Sequence, residues 1–299
     1  PLTALDSEHR EVFLQALARH QATTNAAVLL THHPEDTNTI PGCDEYVLTD
    51  QGLLPGRFSG TIVPPQREAT RPVESDVVAQ VSNLSVVFGT RAIIDQVSFD
   101  LHRGELVVVS GRNGAGKSTL LEAVFDARLG TVQVLGQDLA RVSPKDKVGL
   151  LAVVPSDPSG LFVTSSVAEE FAWADRVAGV EKGFTRLTFE SILPEAWHRE
   201  VVAKSDHTHP RDLSRGQQAA LAVALQLSHK PAVIALDEPT RGLDESARKA
   251  FAEVVACVVE TGTAVVVASH HDESDGLEPD RRLFLSDRRL RVAGVGVNS

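Results

Sequence analysis

Short apolar runs separated by longer amphipathic segments dominate the chain from residue 77 onward. Some runs alternate apolar and polar residues, as in an antiparallel edge sheet, and others are continuous, as in buried parallel strands. The alternating runs cover 77–87 and 97–101, and the continuous ones cover 105–110, 232–236 and 264–268. Helical segments separate the later runs and fill residues 165–205. This order predicts an α/β fold with a mostly parallel core sheet, an antiparallel β edge subdomain and a helical insertion.

A pattern near the start of the chain is repeated near its end. Each copy has an Asp, an amphipathic helical stretch, a short apolar run and then a His-His pair. The interval from Asp6 to His32 is 26 positions, and so is the interval from Asp244 to His270. Repeats at matched spacing indicate a shared fold. We therefore expect two related domains in the parent protein.

The repeat predicts the domain boundaries. Residues 61–77 carry three prolines among charged and small residues, which is typical of a linker. The chain has no methionine and opens at Pro1, so we expect a fragment that lacks most of the first domain. The expected parts are a C-terminal remnant of that first domain at 1–60, the linker at 61–77, a complete second domain at 78–292 and a tail at 293–299.

Composition narrows the classes of function. The formal net charge of the 299 residues is −11, which argues against a nucleic-acid-binding surface as the main role. No run of about 18 apolar residues is long enough to predict a membrane span. Cys43 and Cys257 are too few for a disulfide scaffold, so a reducing compartment is expected. His207 and His209 lie two positions apart without a third ligand at metal-site spacing, and they predict no metal centre.

A glycine-rich segment follows the run at 105–110 and leads into a helix, which is the context of a phosphate-binding loop. Its glycines let backbone amides surround phosphate oxygens, and the helix start adds a partial positive charge. We expect Lys117 to place its charge between the β- and γ-phosphates and Ser118 to offer its hydroxyl to Mg²⁺. The segment consists of Gly111, Arg112, Asn113, Gly114, Ala115, Gly116, Lys117, Ser118 and Thr119.

Two adjacent carboxylates end the apolar run at 232–236. Neighbouring strand residues face opposite ways, so the two have different predicted roles. We expect Asp237 to hold the Mg²⁺ shell and Glu238 to act as general base on the attacking water. Upstream, the string LSRGQQ precedes a helical run, and by itself it indicates only a serine helix cap at Ser214.

The strings GRNGAGKST, LSRGQQ and ALDEPT occur in this order and together resemble the ATP-binding cassette (ABC) superfamily over about residues 78–292. The resemblance implies a P-loop NTPase ABC cassette that binds ATP with Mg²⁺ and hydrolyses it. It also implies a head-to-tail dimer of cassettes. Ser214, Gly216 and Gln217 would then face the γ-phosphate bound on the opposing cassette, and Asp244 would reach across the same interface.

The resemblance assigns three further residues. Phe88 falls where the family stacks an aromatic ring on adenine, although packing in the core is an alternative for it. His270 matches the switch histidine that contacts the γ-phosphate, and with Glu238 and Lys117 it completes the predicted catalytic set. Ser156 stands where the family has a Gln in the Mg²⁺ and water shell. Its shorter side chain predicts a bridging water, slower hydrolysis, or partial substitution by Asp157.

The runs around Ser214 and Asp237 are similar to the tandem-cassette ATPases of energy-coupling factor importers. That similarity implies a peripheral motor on the cytoplasmic face of the cell membrane. It would work with separate transmembrane subunits and drive uptake of a vitamin or a metal ion. Two alternatives stay open, namely a tandem ABC ATPase that acts on ribosomes and a nucleotide-sensing module with weak hydrolysis. No nucleic-acid partner is expected in the importer role.

Overall fold

The computed structural model describes residues 7–24, 46–49, 52–55, 76–202, 207–269 and 276–292. The chain divides into two units, Pro1–Val63 and Pro64–Ser299. The first contains helix α1 (Ser7–Thr24) and an antiparallel hairpin of strands β1 (Tyr46–Thr49) and β2 (Gly52–Pro55). A helix is thus present where the first repeat copy predicts one. The apolar run after it and His32 lie outside the described residues.

The second unit holds the remaining strands and helices. Its strands are β3 (Val77–Phe88), β4 (Arg91–His102), β5 (Leu106–Ser110), β6 (Thr131–Val134), β7 (Gln137–Asp138), β8 (Leu151–Val154), β9 (Val233–Asp237), β10 (Ala264–Ser269), β11 (Arg281–Ser286) and β12 (Arg289–Val292). Its helices are α2 (Lys117–Asp126), α3 (Pro144–Lys147), α4 (Val167–Ala178), α5 (Phe184–Ile192), α6 (Glu195–Val202), α7 (Arg215–Leu227) and α8 (Glu245–Glu260). None of the described helices is both long enough and apolar enough to cross a bilayer.

Two sheets organise this unit. The larger has strand order β12-β11-β5-β10-β9-β8, and it is parallel apart from the β11–β12 pair. The smaller has the order β4-β3-β6-β7 and is antiparallel throughout. Helices α4 to α6 form an insertion between β8 and α7. The predicted α/β fold, with a parallel core, an antiparallel edge subdomain and a helical insertion, is confirmed.

The central strands are apolar at consecutive positions because both of their faces are covered. Every residue of β5 is buried, and so is every residue of β10. Successive side chains of β5 join different cores. Leu106 and Val108 pack with helices α4 to α8, whereas Val107 and Val109 pack with α2 and the smaller sheet. A continuous apolar run therefore indicates a strand between two cores.

Strand β4 begins at Arg91, six positions earlier than the alternation of apolar residues predicts. The difference comes from irregularities that break the period of two. Val87 lies opposite Ala92 but Val86 lies opposite Ile94, so Ile93 is an extra residue in β4. Strands β6 and β8 are only four residues long, too short for the periodicity to reveal them.

The register brings the carboxyl ends of the parallel strands to one edge. Ser269 of β10 pairs with Ser110 of β5, and Ala268 pairs with Asp237 of β9. The glycine-rich segment leaves β5 at this edge, and Glu238 leaves β9 there. Sites in open α/β sheets lie outside such carboxyl ends. The fold thus places the predicted phosphate loop beside the predicted carboxylates.

Candidate functional site

The loop between β5 and α2 needs its glycines for two physical reasons. Gly116 has φ +101°, and a Cβ there would lie 2.8 Å from Cγ2 of Ile93. A Cβ on Gly111 would lie 2.6 Å from the carbonyl oxygen of Leu285. Gly114, by contrast, has φ +76° and nothing within 4 Å of its Cβ position. The loop is therefore pressed against β4 and β11 on two sides and open where a ligand would approach.

Helix α2 begins without a side-chain cap. Its N-cap residue is Gly116, whereas Ser166 caps α4 and Ser214 caps α7 with their hydroxyls. The first amides of a helix have no partner within it, and a phosphate group can accept from them. The exposed loop residues are Arg112, Asn113, Gly114 and Ser118, and the half-buried ones are Ala115, Gly116 and Thr119. This helix start fits an anion.

Lys117 folds back over the loop that precedes it. Its side chain is buried, and Nζ donates to the carbonyl oxygens of Gly111 at 2.8 Å and Arg112 at 3.3 Å. Nζ also lies 3.7 Å from Oε1 of Glu238. Burial lowers the pKa of the Lys117 ammonium, and the charges of Glu238 and Asp237 oppose that shift. An anion bound in the loop would stabilise the charged form of this lysine against the effect of burial.

Ser118 and Asp237 meet although 119 positions separate them in the chain. The Ser118 hydroxyl donates to Oδ1 of Asp237 at 3.0 Å. Burial raises the pKa of the Asp237 carboxyl, and Glu238 and Glu122 raise it further against the effect of this hydrogen bond. A hydroxyl and a carboxylate side by side are hard oxygen ligands of the kind that Mg²⁺ takes. The pair fits a magnesium ion.

Glu238 leaves β9 in an unusual backbone conformation. Its φ is +44°, a region that non-glycine residues seldom adopt, and its amide donates to the Ala268 carbonyl at 2.9 Å. Its carboxylate lies between two cations, because Oε1 faces Lys117 and Oε2 lies 3.5 Å from Nη1 of Arg241. Strained residues cluster at functional sites. The sequence analysis did not predict Arg241 as a site residue, although it forms an ion pair with this carboxylate.

Ser156 follows β8, whose Val154 pairs with Leu236 of β9. It therefore lies at the same sheet edge as Asp237, and its side chain is exposed. The neighbouring Asp157 accepts from the amide of Ser159 at 3.0 Å, and hydrogen bonds from Ser159 lower its pKa. Asp157 is thus hydrogen-bonded to its own loop. The role of Ser156 as a ligand in a metal shell stays a prediction.

The LSRGQQ segment starts helix α7 with a reciprocal cap. The Ser214 hydroxyl accepts from the Gln217 amide at 3.3 Å, and the Gln217 side chain accepts from the Ser214 amide at 3.0 Å. Gln217 is buried and Ser214 is exposed, and the contact of each with a nucleotide stays a prediction. A Cβ on Gly216 would lie 2.7 Å from Cη2 of Trp197. Glycine is needed there because α6 packs so closely against the start of α7.

Three other residues were predicted to belong to the site. Phe88 is 65 % exposed at the end of β3, which removes core packing as its explanation. Asp244 caps α8 by accepting from the Ala247 amide at 2.8 Å, and its role across an interface stays a prediction. His270 follows directly after β10 and lies outside the described residues, so its catalytic role stays a prediction as well.

Comparisons with known proteins agree with this geometry. The model of the ABC transporter family matches residues 94–241. A putative ABC transporter ATP-binding protein of Streptomyces avermitilis is 37 % identical over 211 residues, which are 70 % of this chain and 36 % of that protein. The chain thus spans little more than a third of that relative's length.

Two further matches cover most of the length of the protein they match. The energy-coupling factor transporter ATP-binding protein EcfA1 of Symbiobacterium thermophilum is 34 % identical over 69 % of this chain and 71 % of its own length. The structure of cbiO1 from Clostridium perfringens, part of the ABC transporter complex cbiONQ, superposes with a TM-score of 0.62 at 21 % identity, over 73 % of this chain and 88 % of that one. This chain belongs to the ABC transporter family of ATP-binding proteins.

Proposed function

We propose that this chain is the ATP-binding and ATP-hydrolysing part of an importer motor. The observation that carries the proposal is the meeting of four side chains at the start of helix α2, which has no side-chain cap. They are Lys117, Ser118, Asp237 and Glu238. These residues come from two segments that lie far apart in the chain. Together they supply a cation for phosphate, two oxygen ligands for a metal and a carboxylate for a water molecule.

Each residue has a separate task in the proposed mechanism. Lys117 leaves the carbonyl oxygens of its loop and binds phosphate oxygens. Ser118 and Asp237 would hold Mg²⁺, which would supply positive charge to offset that of the phosphates. Glu238 accepts a proton from the attacking water, and Phe88 stacks on the adenine ring. The exposed Ser214 presents its hydroxyl to a nucleotide on a second cassette in a head-to-tail dimer.

The importer role and its partners follow from similarity and extend the proposal. The EcfA1 and cbiO1 likenesses support a peripheral motor on the cytoplasmic face of the membrane, with separate transmembrane subunits and a vitamin or metal ion as cargo. Residues 1–60 are proposed to be the last part of a first cassette. In support, α1 and the β1–β2 hairpin follow in the same order as α8 and the β11–β12 hairpin, and Thr49 faces Gly52 as Ser286 faces Arg289.

Calorimetry of the purified chain with Mg²⁺-ATP tests nucleotide binding. We expect Lys117→Ala to weaken binding about tenfold or more, because a charged partner of the phosphates is lost. Lys145→Ala removes an exposed lysine in α3 and serves as the control, with unchanged affinity expected. Equal affinity of the Lys117 variant and the wild type would contradict the proposed phosphate loop.

A nucleotide sensor with weak hydrolysis is the second candidate. It is favoured by Ser156, which is exposed and lies at the same sheet edge as Asp237. The hydrolysis rates of the parent protein and its Glu238→Gln form separate the two. A motor loses most of its rate when its general base is neutralised, by about a hundredfold or more. Equal rates in the two forms would favour the sensor.

A further inference from the structure

An arginine stands across the hairpin from the exposed aromatic ring. In the β3–β4 hairpin Arg91 is the residue directly opposite Phe88, and both side chains are exposed. Paired residues of adjacent antiparallel strands lie about 4.5–5.5 Å apart at Cβ. A base stacked on Phe88 would therefore have a guanidinium close to its edge.

The same strand also touches the phosphate loop. The extra residue Ile93 bulges from β4, and its Cγ2 lies 2.8 Å from the Cβ position of Gly116. Its carbonyl oxygen lies 3.6 Å from the same position. Arg91 is two residues before this contact and opposite the aromatic ring. Arg91 is thus at the aromatic end of the proposed nucleotide site, two residues along β4 from the phosphate loop. Its long side chain can extend along the strand toward the ribose and the α-phosphate of a bound nucleotide.

Arg91 forms no ion pair or side-chain hydrogen bond within the described parts of the chain. Two other arginines that contact β4 are paired. Arg289 lies 3.3 Å from Asp95 of the same strand, and Arg281 pairs with Asp100 and Glu105 further along. A guanidinium without an ion pair among the described residues can offer its five donors to an anion bound near Phe88 and the phosphate loop.

We propose that Arg91 is a further nucleotide-binding residue, which donates to the α-phosphate and the ribose of the nucleotide. This rests on the proposed function, because it assumes that phosphates occupy the loop at Gly116. The contact is independent of the γ-phosphate and of the second cassette. A single copy of the chain therefore suffices to test it.

Binding of Mg²⁺-ATP and Mg²⁺-ADP to the full chain is measured by calorimetry for the wild type, Arg91→Ala, Arg91→Lys and Arg103→Ala. Arg103 is an exposed arginine just beyond the other end of β4 and serves as the matched control. We expect Arg91→Ala to weaken ATP and ADP equally, by about five- to tenfold, because both carry the α-phosphate. Arg91→Lys should recover most of this loss, and Arg103→Ala should stay within about twofold of the wild type.

Salt dependence separates a phosphate contact from a change in the fold. The loss for Arg91→Ala should shrink as the salt concentration rises, because screening weakens the charge that the variant lacks. Wild-type affinity in Arg91→Ala would overturn the proposal while leaving the phosphate loop intact. A loss for ATP alone would place the contact at the γ-phosphate and overturn the assignment. Absence of ATP binding by the wild type would overturn both this inference and the proposed function.

Discussion

Lys117 and Asp237 carry opposite charges. Burial lowers the pKa of the Lys117 ammonium and raises the pKa of the Asp237 carboxyl, so it favours the neutral form of each. Both residues thus sit in an environment that disfavours the charge they bear. A phosphate beside the lysine and a divalent cation beside the carboxylate would each stabilise the charged form further. At the scale of single residues, the site is therefore prepared for an anion and a cation together.

The raised pKa of Asp237 makes a prediction for stability. The folded state binds a proton at this carboxyl more tightly than the unfolded chain does. The contribution of Asp237 to the free energy of unfolding therefore falls as the pH rises from the unfolded pKa through the higher folded pKa. Asp237→Asn removes the buried charge. We expect a higher free energy of unfolding at pH 7 without nucleotide or Mg²⁺, and a difference from wild type that disappears as the pH falls below about 4.

Chemical denaturation in the presence of EDTA measures this effect. Asp157→Asn is the matched comparison, because hydrogen bonds lower the pKa of Asp157 and the expected change has the opposite sign. An Asp237→Asn protein that is less stable than the wild type at pH 7 would show that the carboxylate is stabilised by its neighbours rather than strained by burial.

At the scale of elements, two helix starts divide the work of binding. Helix α2 starts at a glycine without a side-chain cap, which leaves its first amides for a ligand. Helix α7 starts with a complete capping box, which fixes the orientation of Ser214. The Gly216–Trp197 contact further ties α7 to the helical insertion. A movement of the insertion would therefore carry the Ser214 hydroxyl with it.

Substitutions at Ser214 should separate its cap from its role in hydrolysis. Ser214→Ala removes the cap and should cost about 1 kcal/mol of unfolding free energy. Ser214→Asp keeps a capping oxygen and should retain stability. Both variants should lose hydrolysis in the parent protein, because neither offers a neutral hydroxyl to the γ-phosphate. Thermal melts and phosphate release measure the two effects, and a fully active Ser214→Ala protein would leave Ser214 with the cap alone.

At the scale of the molecule, the described residues contain one phosphate loop, before α2, and one helix start of the LSRGQQ type, at α7. If Lys117 of one copy faces Ser214 of another, a composite site needs two copies of residues 78–292. The chain should then bind nucleotide as a monomer and turn it over slowly.

Hydrolysis per molecule should accordingly rise with protein concentration, since pairing is a second-order step. Initial rates measured over a hundredfold range of concentration, beside light scattering for the molar mass, test this expectation. A rate per molecule that stays constant and high in a verified monomer would exclude the head-to-tail arrangement.

Local sequence predicted the elements whose signal is local. The phosphate loop, the capped start of α7 and the continuous strands β5, β9 and β10 were all visible, because glycine spacing, capping residues and apolar runs act over a few positions. The start of β4 was missed, because the bulge at Ile93 breaks the period of two. The helical segments of the insertion were predicted only as a region, without their bounds.

Sequence alone therefore determined the fold class, the order of the elements and the residue types available for ATP chemistry. Only the tertiary structure decided which of them meet. The hydrogen bond from Ser118 to Asp237, the ion pair of Glu238 with Arg241, the exposure of Phe88 and the place of Arg91 follow from strand register and packing. Such contacts join segments far apart in the chain or depend on turn geometry, and no periodicity within a single segment encodes them.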